Sequence, residues 1–163
     1  MSDQKAKKKV IDLIESIKTC MFTTQDNNNE LRTRPMHTTD VEEDGTIWFF
    51  TDAYSDKVDE FQENHPVSLG YANTSDDDYV SISGHATLVR DRAVLEEKWS
   101  PFLKAWFPDG LDTKGISLIK VKPKTAEYWD GADSSIVQMI KIGYAIATGQ
   151  KHESGEHGQV KMS

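Results

Sequence analysis

The chain has 163 residues, a formal net charge of -8 and 37% hydrophobic content, which suits one globular domain with its own core and leaves little room for a second. The acidic balance argues against a general nucleic-acid or membrane-surface role, since both need a basic field. A single cysteine, Cys20, excludes an intrachain disulfide and fits a reducing compartment; with no apolar h-region near the N-terminus and no apolar run of membrane-span length, the expectation is a cytoplasmic protein.

Between Asp3 and Lys18 the residues Val10, Ile11, Leu13, Ile14 and Ile17 fall at helical spacing, predicting an amphipathic opening helix. The lysines at 5, 7, 8 and 9 read as its solvated face, with an acidic partner as the alternative. Thr19 to Gln25 is β-rich, with Cys20 a small packed residue, and Asp26-Asn27-Asn28-Asn29 is turn chemistry leading into a strand from Leu31 to Thr39. Pro35 cannot donate to a ladder, which puts an irregularity or an edge just after Arg34.

Glu42-Glu43-Asp44-Gly45 turns the chain into Thr46 to Thr51, whose Ile-Trp-Phe-Phe run is too apolar for a half-exposed strand. Trp48 or Phe50 could meet a planar ring or simply fill the core. Ser55 is a good N-cap, and Val58 with Phe61 gives a short helix ending near His65-Pro66. Arg34, Thr51, Ser55 and Lys57 together have the chemistry of a phosphate cradle: a guanidinium fork, hydroxyl donors, an ammonium and a helix N-terminus. The same residues equally spell a strand, a turn and a capped surface helix.

Val67 to Asn73 and Tyr79 to Val89 read as two further strands, separated by the polar loop Ser75-Asp76-Asp77-Asp78. Its three adjacent aspartates lack the spacing and glycine of a calcium loop, and the five histidines show no ligand spacing, so no metal site is assigned. Gly84 inside a strand marks a bulge or a close approach by a backbone or ligand; the role of His85 beside it is left open. Asp91 caps a helix with Leu95 and Trp99 one turn apart, and Ser100-Pro101 opens a second through Phe102, Leu103 and Trp106. Ile116 to Trp129 is the last long strand, with a bend or break expected at Pro123. Ser134 or Ser135 caps a final helix with Ile136, Met139, Ile140, Gly143 and Ile146 on one face, stopped by Gly149. Residues 151–163 are polar and predicted to form a mobile tail after a domain of residues 1–150.

Five motifs occur in order: Arg-Pro-Met at 34–36, Trp-Phe-Phe-Thr-Asp at 48–52, Ser-x-Lys at 55–57, Ser-Gly-His-Ala at 83–86 and Glu-Tyr-Trp-Asp-Gly at 127–131. Together they resemble the flavin-binding split barrels related to pyridoxamine 5'-phosphate oxidase, above all the short bacterial members called general stress proteins, over roughly Val10 to Thr148. The resemblance implies a mainly β fold with peripheral helices, a six-stranded antiparallel split β-barrel. It implies FMN, with FAD, deazaflavin F420 or haem as variants used by related barrels. It further implies a flavin phosphate held by Arg34, Ser55 and Lys57, and an isoalloxazine facing the backbone of Phe49, Phe50 and Thr51 with Pro35 and Met36 alongside. Trp129 would approach from the second subunit of a homodimer.

Three departures set the chain apart from the oxidase. No basic residue appears from Asp130 to Met139, where the oxidase grips its substrate phosphate, so vitamin-B6 oxidation is not expected. Asp56 stands where the oxidase has a basic residue between Ser and Lys, and Thr39 lies near where it has a Lys. The functional expectation is a small flavin-dependent oxidoreductase of general-stress type, with a non-enzymatic flavin carrier or redox sensor as the alternative. No catalytic residue is named.

Overall fold

The computed structural model describes residues 3–52, 64–131, 145–149, 151 and 155–163. Helix α1 (Asp3–Ile17) buries Ala6, Val10, Leu13 and Ile14 and ends where Lys18 turns left-handed at φ 67°. Its lysines are more than a solvated face: Lys9 ion-pairs with Asp130 and, at 3.3 Å, Glu156, while the Lys7 ammonium donates to the Met162 carbonyl.

Among the described residues eight strands follow: β1 (Thr19–Gln25), β2 (Leu31–His37), β3 (Asp40–Val41), β4 (Ile47–Asp52), β5 (His65–Asn73), β6 (Asp78–Val89), β7 (Ile116–Asp130) and β8 (Glu156–Lys161). They form one antiparallel sheet in the order β2-β1-β5-β6-β7-β4-β3, with β8 added on β7 beside the end of β4. The six expected strands are all present, and the count rises to eight through the two-residue β3 and through β8. β8 corrects the expectation of a mobile tail. Val160 and Met162 are each 5% exposed and sit in the main core, and their burial acts together with the ladder to β7 against the entropy of ordering a short polar strand.

The sheet is closed on itself except along one seam. Along β2, the Thr38 N–H donates to the Lys18 carbonyl at 2.7 Å, so by alternation Met36 and Arg34 bond toward β1 while Pro35 faces the open edge. Its missing N–H therefore costs nothing, and the β1–β2 register runs unbroken through it. On the other margin, β3 pairs only with Ile47 and Trp48 of β4. The remainder of β4 is covered on one side by β7 alone.

Both faces of β4 are covered, which explains its continuous apolar run. Phe49 packs edge-on against Phe22, ring centroids 5.3 Å apart, in the main core beneath α1. Phe50 turns to the opposite face and joins a second core with Trp48, Leu95, Leu103, Ile116 and Leu118. That core is roofed by α2 (Arg92–Lys98), whose N-cap Asp91 accepts from the Ala93 and Val94 N–H groups, and by a short 3-10 helix at Pro101–Ala105. Trp48 is tied in place: its indole N–H donates to Glu42, and the Lys98 and Lys120 ammoniums lie 5.3 and 5.4 Å from its ring centre.

Gly84 serves both readings at once. The β6–β7 register shifts between Ser83 and Gly84, and a Cβ on Gly84 would meet the Lys122 carbonyl oxygen at 2.4 Å. The bend or break expected at Pro123 takes the form of this bulge, with β7 continuing through it, and the spare Lys124 carbonyl accepts from the Met162 N–H at 3.0 Å. Residues 145–148 are helical and stop at Gly149 with φ 69°, but Ile146 is 79% exposed rather than turned inward. The capped helix expected at Ser55 and the beginning of the final helix lie outside the described residues.

Candidate functional site

The seam between the two sheet margins opens into a groove of about 310 Å3, at the small end of the range for ligand pockets. Its walls are Pro35, Met36 and His37 from β2, Thr39 from the connection to β3, Phe50, Thr51 and Asp52 from β4, and Leu103, Trp106 and Phe107 from the insertion between β6 and β7. Four residues expected at a flavin ring, Pro35, Met36, Phe50 and Thr51, thus meet on one groove, although they come from two opposite margins of the sheet.

The backbone at this point has hydrogen-bonding capacity to spare. Thr46 and Trp48 turn their carbonyls toward β3, accepting from Glu42 and Thr39 at 2.9 and 2.8 Å. By the two-residue alternation of an antiparallel strand, the N–H and C=O of Phe50 face the same way, beyond the end of β3. Thr39 Oγ1 is buried without a hydrogen-bond partner among the described residues, a condition that costs about 1–3 kcal/mol unless a ligand or water meets it.

The other expected site residues are placed differently. Arg34 follows the inward face of β2 shared with Met36, and its guanidinium Nη2 donates to Thr24 Oγ1 at 3.2 Å; it is next to the groove in sequence but is not part of its lining. Phe49 points its ring into the main core, away from the groove. Ser55 and Lys57 lie outside the described residues. Trp129 stands opposite Tyr79 and His157, at the far end of β7 from Ser117, which pairs with Thr51; an extended run of that length spans roughly 40 Å. One chain does not bring Trp129 to its own groove.

The Glu-Tyr-Trp-Asp-Gly motif instead ties the far end together. Glu127 meets His157 at 2.7 Å, and its carboxyl is held below the usual range by that contact first and by Gln159 second. Trp129 stacks on the His157 ring at 5.0 Å and 13°, and stays 38% exposed. Asp130 pairs with Lys9. Gly131 donates its N–H to Asp78 at 2.9 Å, in a place where a Cβ would strike the Asp76 carbonyl. The aspartate loop is thus the dock for the end of β7. Cys20 is buried, and its thiol is pushed up to about 12 by that burial, as befits a packed residue.

His37, Asp52, Leu103, Trp106 and Phe107 complete the groove without having been read as site residues. The signal was present in the Pro-Phe-Leu-Lys-Ala-Trp-Phe stretch. It reads as a short capped helix, and nothing local places that helix over the seam. Phe102 and Trp106 are left 61% and 58% exposed.

Comparison with known proteins agrees with this fold. The chain is 28% identical to the bli-3 protein of Neurospora crassa over 145 residues, covering 83% of this chain and 69% of that one. Its structure is similar to that of a Jannaschia sp. CCS1 protein described as general stress protein 26, with a TM-score of 0.81, 23% identity and 99% of both chains covered. It is also similar to a general stress FMN/FAD binding protein of Xanthomonas citri, with a TM-score of 0.69, 24% identity and 82% and 93% of the two chains covered. These likenesses establish the split-barrel fold, and the family model described as pyridoxamine 5'-phosphate oxidase like matches residues 5–153. The chain belongs to the pyridoxamine 5'-phosphate oxidase-like family.

Proposed function

We propose that this protein binds FMN along the seam groove and works as a small flavin-dependent oxidoreductase. The observation that carries the reading is the meeting of Pro35, Met36, Phe50 and Thr51 on one groove, together with the outward-facing backbone of Phe50 at the uncovered margin of β4. A flavin ring carries donors and acceptors along one edge, and such a backbone offers the complement without a dedicated side chain. The FMN/FAD binding of the Xanthomonas citri protein supports the same ligand class.

Bound flavin supplies the redox chemistry. The chain's own residues hold and orient it: Pro35 and Met36 from one margin, Phe50 and Thr51 from the other, with Arg34, Ser55 and Lys57 assigned to the phosphate. Homodimerisation belongs to the proposal, because Trp129 lies too far along β7 to serve its own groove and keeps an exposed face for a partner's. The absence of Arg and Lys among the described lining residues supports a substrate other than a vitamin-B6 phosphate.

The test is the visible absorption spectrum of purified protein before and after reconstitution with FMN, FAD, F420 and haem, followed by turnover with a reductant and an acceptor. A stoichiometric FMN spectrum with turnover supports the proposal. FMN binding without turnover would leave a carrier or sensor, and exclusive binding of another cofactor would refute the ligand.

A further inference from the structure

We propose that His37, Phe102 and Trp106, at the insertion side of the seam groove, form a subsite for a neutral, planar, carbonyl-bearing ring compound of the quinone type; the assignment rests on the flavin reading of that same groove. Leu103 anchors the 3-10 helix in the second core, and Trp106, which closes that helix by donating its N–H to the Leu103 carbonyl at 3.0 Å, stands beside it on the groove wall. The exposed faces of Phe102 and Trp106 gain nothing from water and are held in place by their neighbours. The His37 ring lies nearly parallel to Trp106, at 12° and 6.1 Å, and 5.6 Å from Phe102, with Phe102 and Trp106 themselves 5.2 Å apart. These are the spacings of ring stacking. A preassembled aromatic wall takes a flat ligand without the cost of ordering side chains.

The polar groups define the rest of the ligand. Among the described residues the groove lining contains Asp52 and no Lys or Arg, so it offers no cationic grip for an anionic substituent on the second ligand. The Thr39 hydroxyl, buried and lacking a partner among the described residues, and a His37 ring N–H can donate to a carbonyl oxygen. A flat uncharged ring with carbonyl oxygens at its margin meets all three conditions.

The experiment titrates FMN-loaded protein with menadione, and separately with pyridoxamine 5'-phosphate as the anionic comparison, following the flavin band and tryptophan fluorescence. Menadione should bind more tightly than the phosphate compound. Trp106→Ala should weaken menadione about tenfold more than it weakens FMN, and Trp106→Phe should recover most of the loss. Equal losses for the two ligands, or preference for the anion, would overturn the subsite. So would a dimer that buries Trp106 and excludes menadione. If FMN itself fails to bind the wild-type chain, the flavin reading falls. Menadione titration of the flavin-free chain then decides the subsite separately, with Trp106-dependent quenching supporting it and no quenching ending it.

Discussion

Lys98 fastens the groove's aromatic roof to the sheet, and Lys98→Met should show how much that fastening contributes. Its side chain is only 8% exposed and its ammonium lies 2.6 Å from Asp40, 3.0 Å from Glu42 and 3.5 Å from Glu97. Burial works against the charge, but the hydrogen bonds that the ammonium donates to Asp40 and Glu42 outweigh it and hold the ammonium above its ordinary range. A fully buried pair broken on one side costs about 3–5 kcal/mol. Here Asp40 and Glu42 remain 43% and 38% exposed, so water compensates much of their loss, and about 1–3 kcal/mol is the better expectation. For a domain of this size that is a drop in Tm of about 2–12 °C.

The pH dependence follows from the direction of the shift. Because the folded-state pKa of Lys98 is raised, its contribution is complete below the unfolded value of 10.5 and is lost as pH rises through the folded one. Urea denaturation of wild type and Lys98→Met between pH 7 and 11.5 should therefore give a stability gap that is flat up to about pH 10 and shrinks above it. A gap near zero at pH 7, or one that widens in alkali, would refute the reasoning.

Met162→Ala should cost about 2–5 kcal/mol in denaturant unfolding if β8 is part of the core, and no change would return these residues to a loose tail. Cys20 should resist iodoacetamide at pH 8 in the native protein and react on unfolding, since its thiol is pushed up to about 12; rapid native labelling would contradict its burial. Trp129→Leu should lower flavin affinity in an intact dimer with little loss of apo-protein stability, whereas unchanged affinity together with a stable flavin-bound monomer would eliminate the shared site.

Much of this architecture is legible in the chain because local pattern and final environment agree. The continuous apolar run at Ile47 to Phe50 announces a strand covered on both faces, Asp91 announces a cap, and Gly84 announces a close backbone approach. β8 escapes because Val160 is its only buried apolar residue, with Met162 just beyond its end, too few to make an alternation, and their partners are over thirty residues away in β7. The groove was legible in half: the motifs name the residues on β2 and β4, but nothing local says that these opposite margins face each other across a seam. The wall from the insertion was legible as a short helix opened by Ser100-Pro101, but nothing local says that this helix stands over the seam. Trp129 shows the reverse limit, because a motif carries identity without distance, and only the length of β7 removes it from its own chain's groove.

The central claim is that a phosphate-bearing flavin sits at this seam, and parallel titrations of the flavin-free protein with FMN and riboflavin test it most directly. The account predicts that FMN binds more tightly, and that Lys57→Ala lowers FMN affinity by about 1–3 kcal/mol while leaving riboflavin nearly unaffected, because only a phosphate can accept the charge-assisted bonds of Arg34, Ser55 and Lys57. Equal affinity for the two flavins would contradict it.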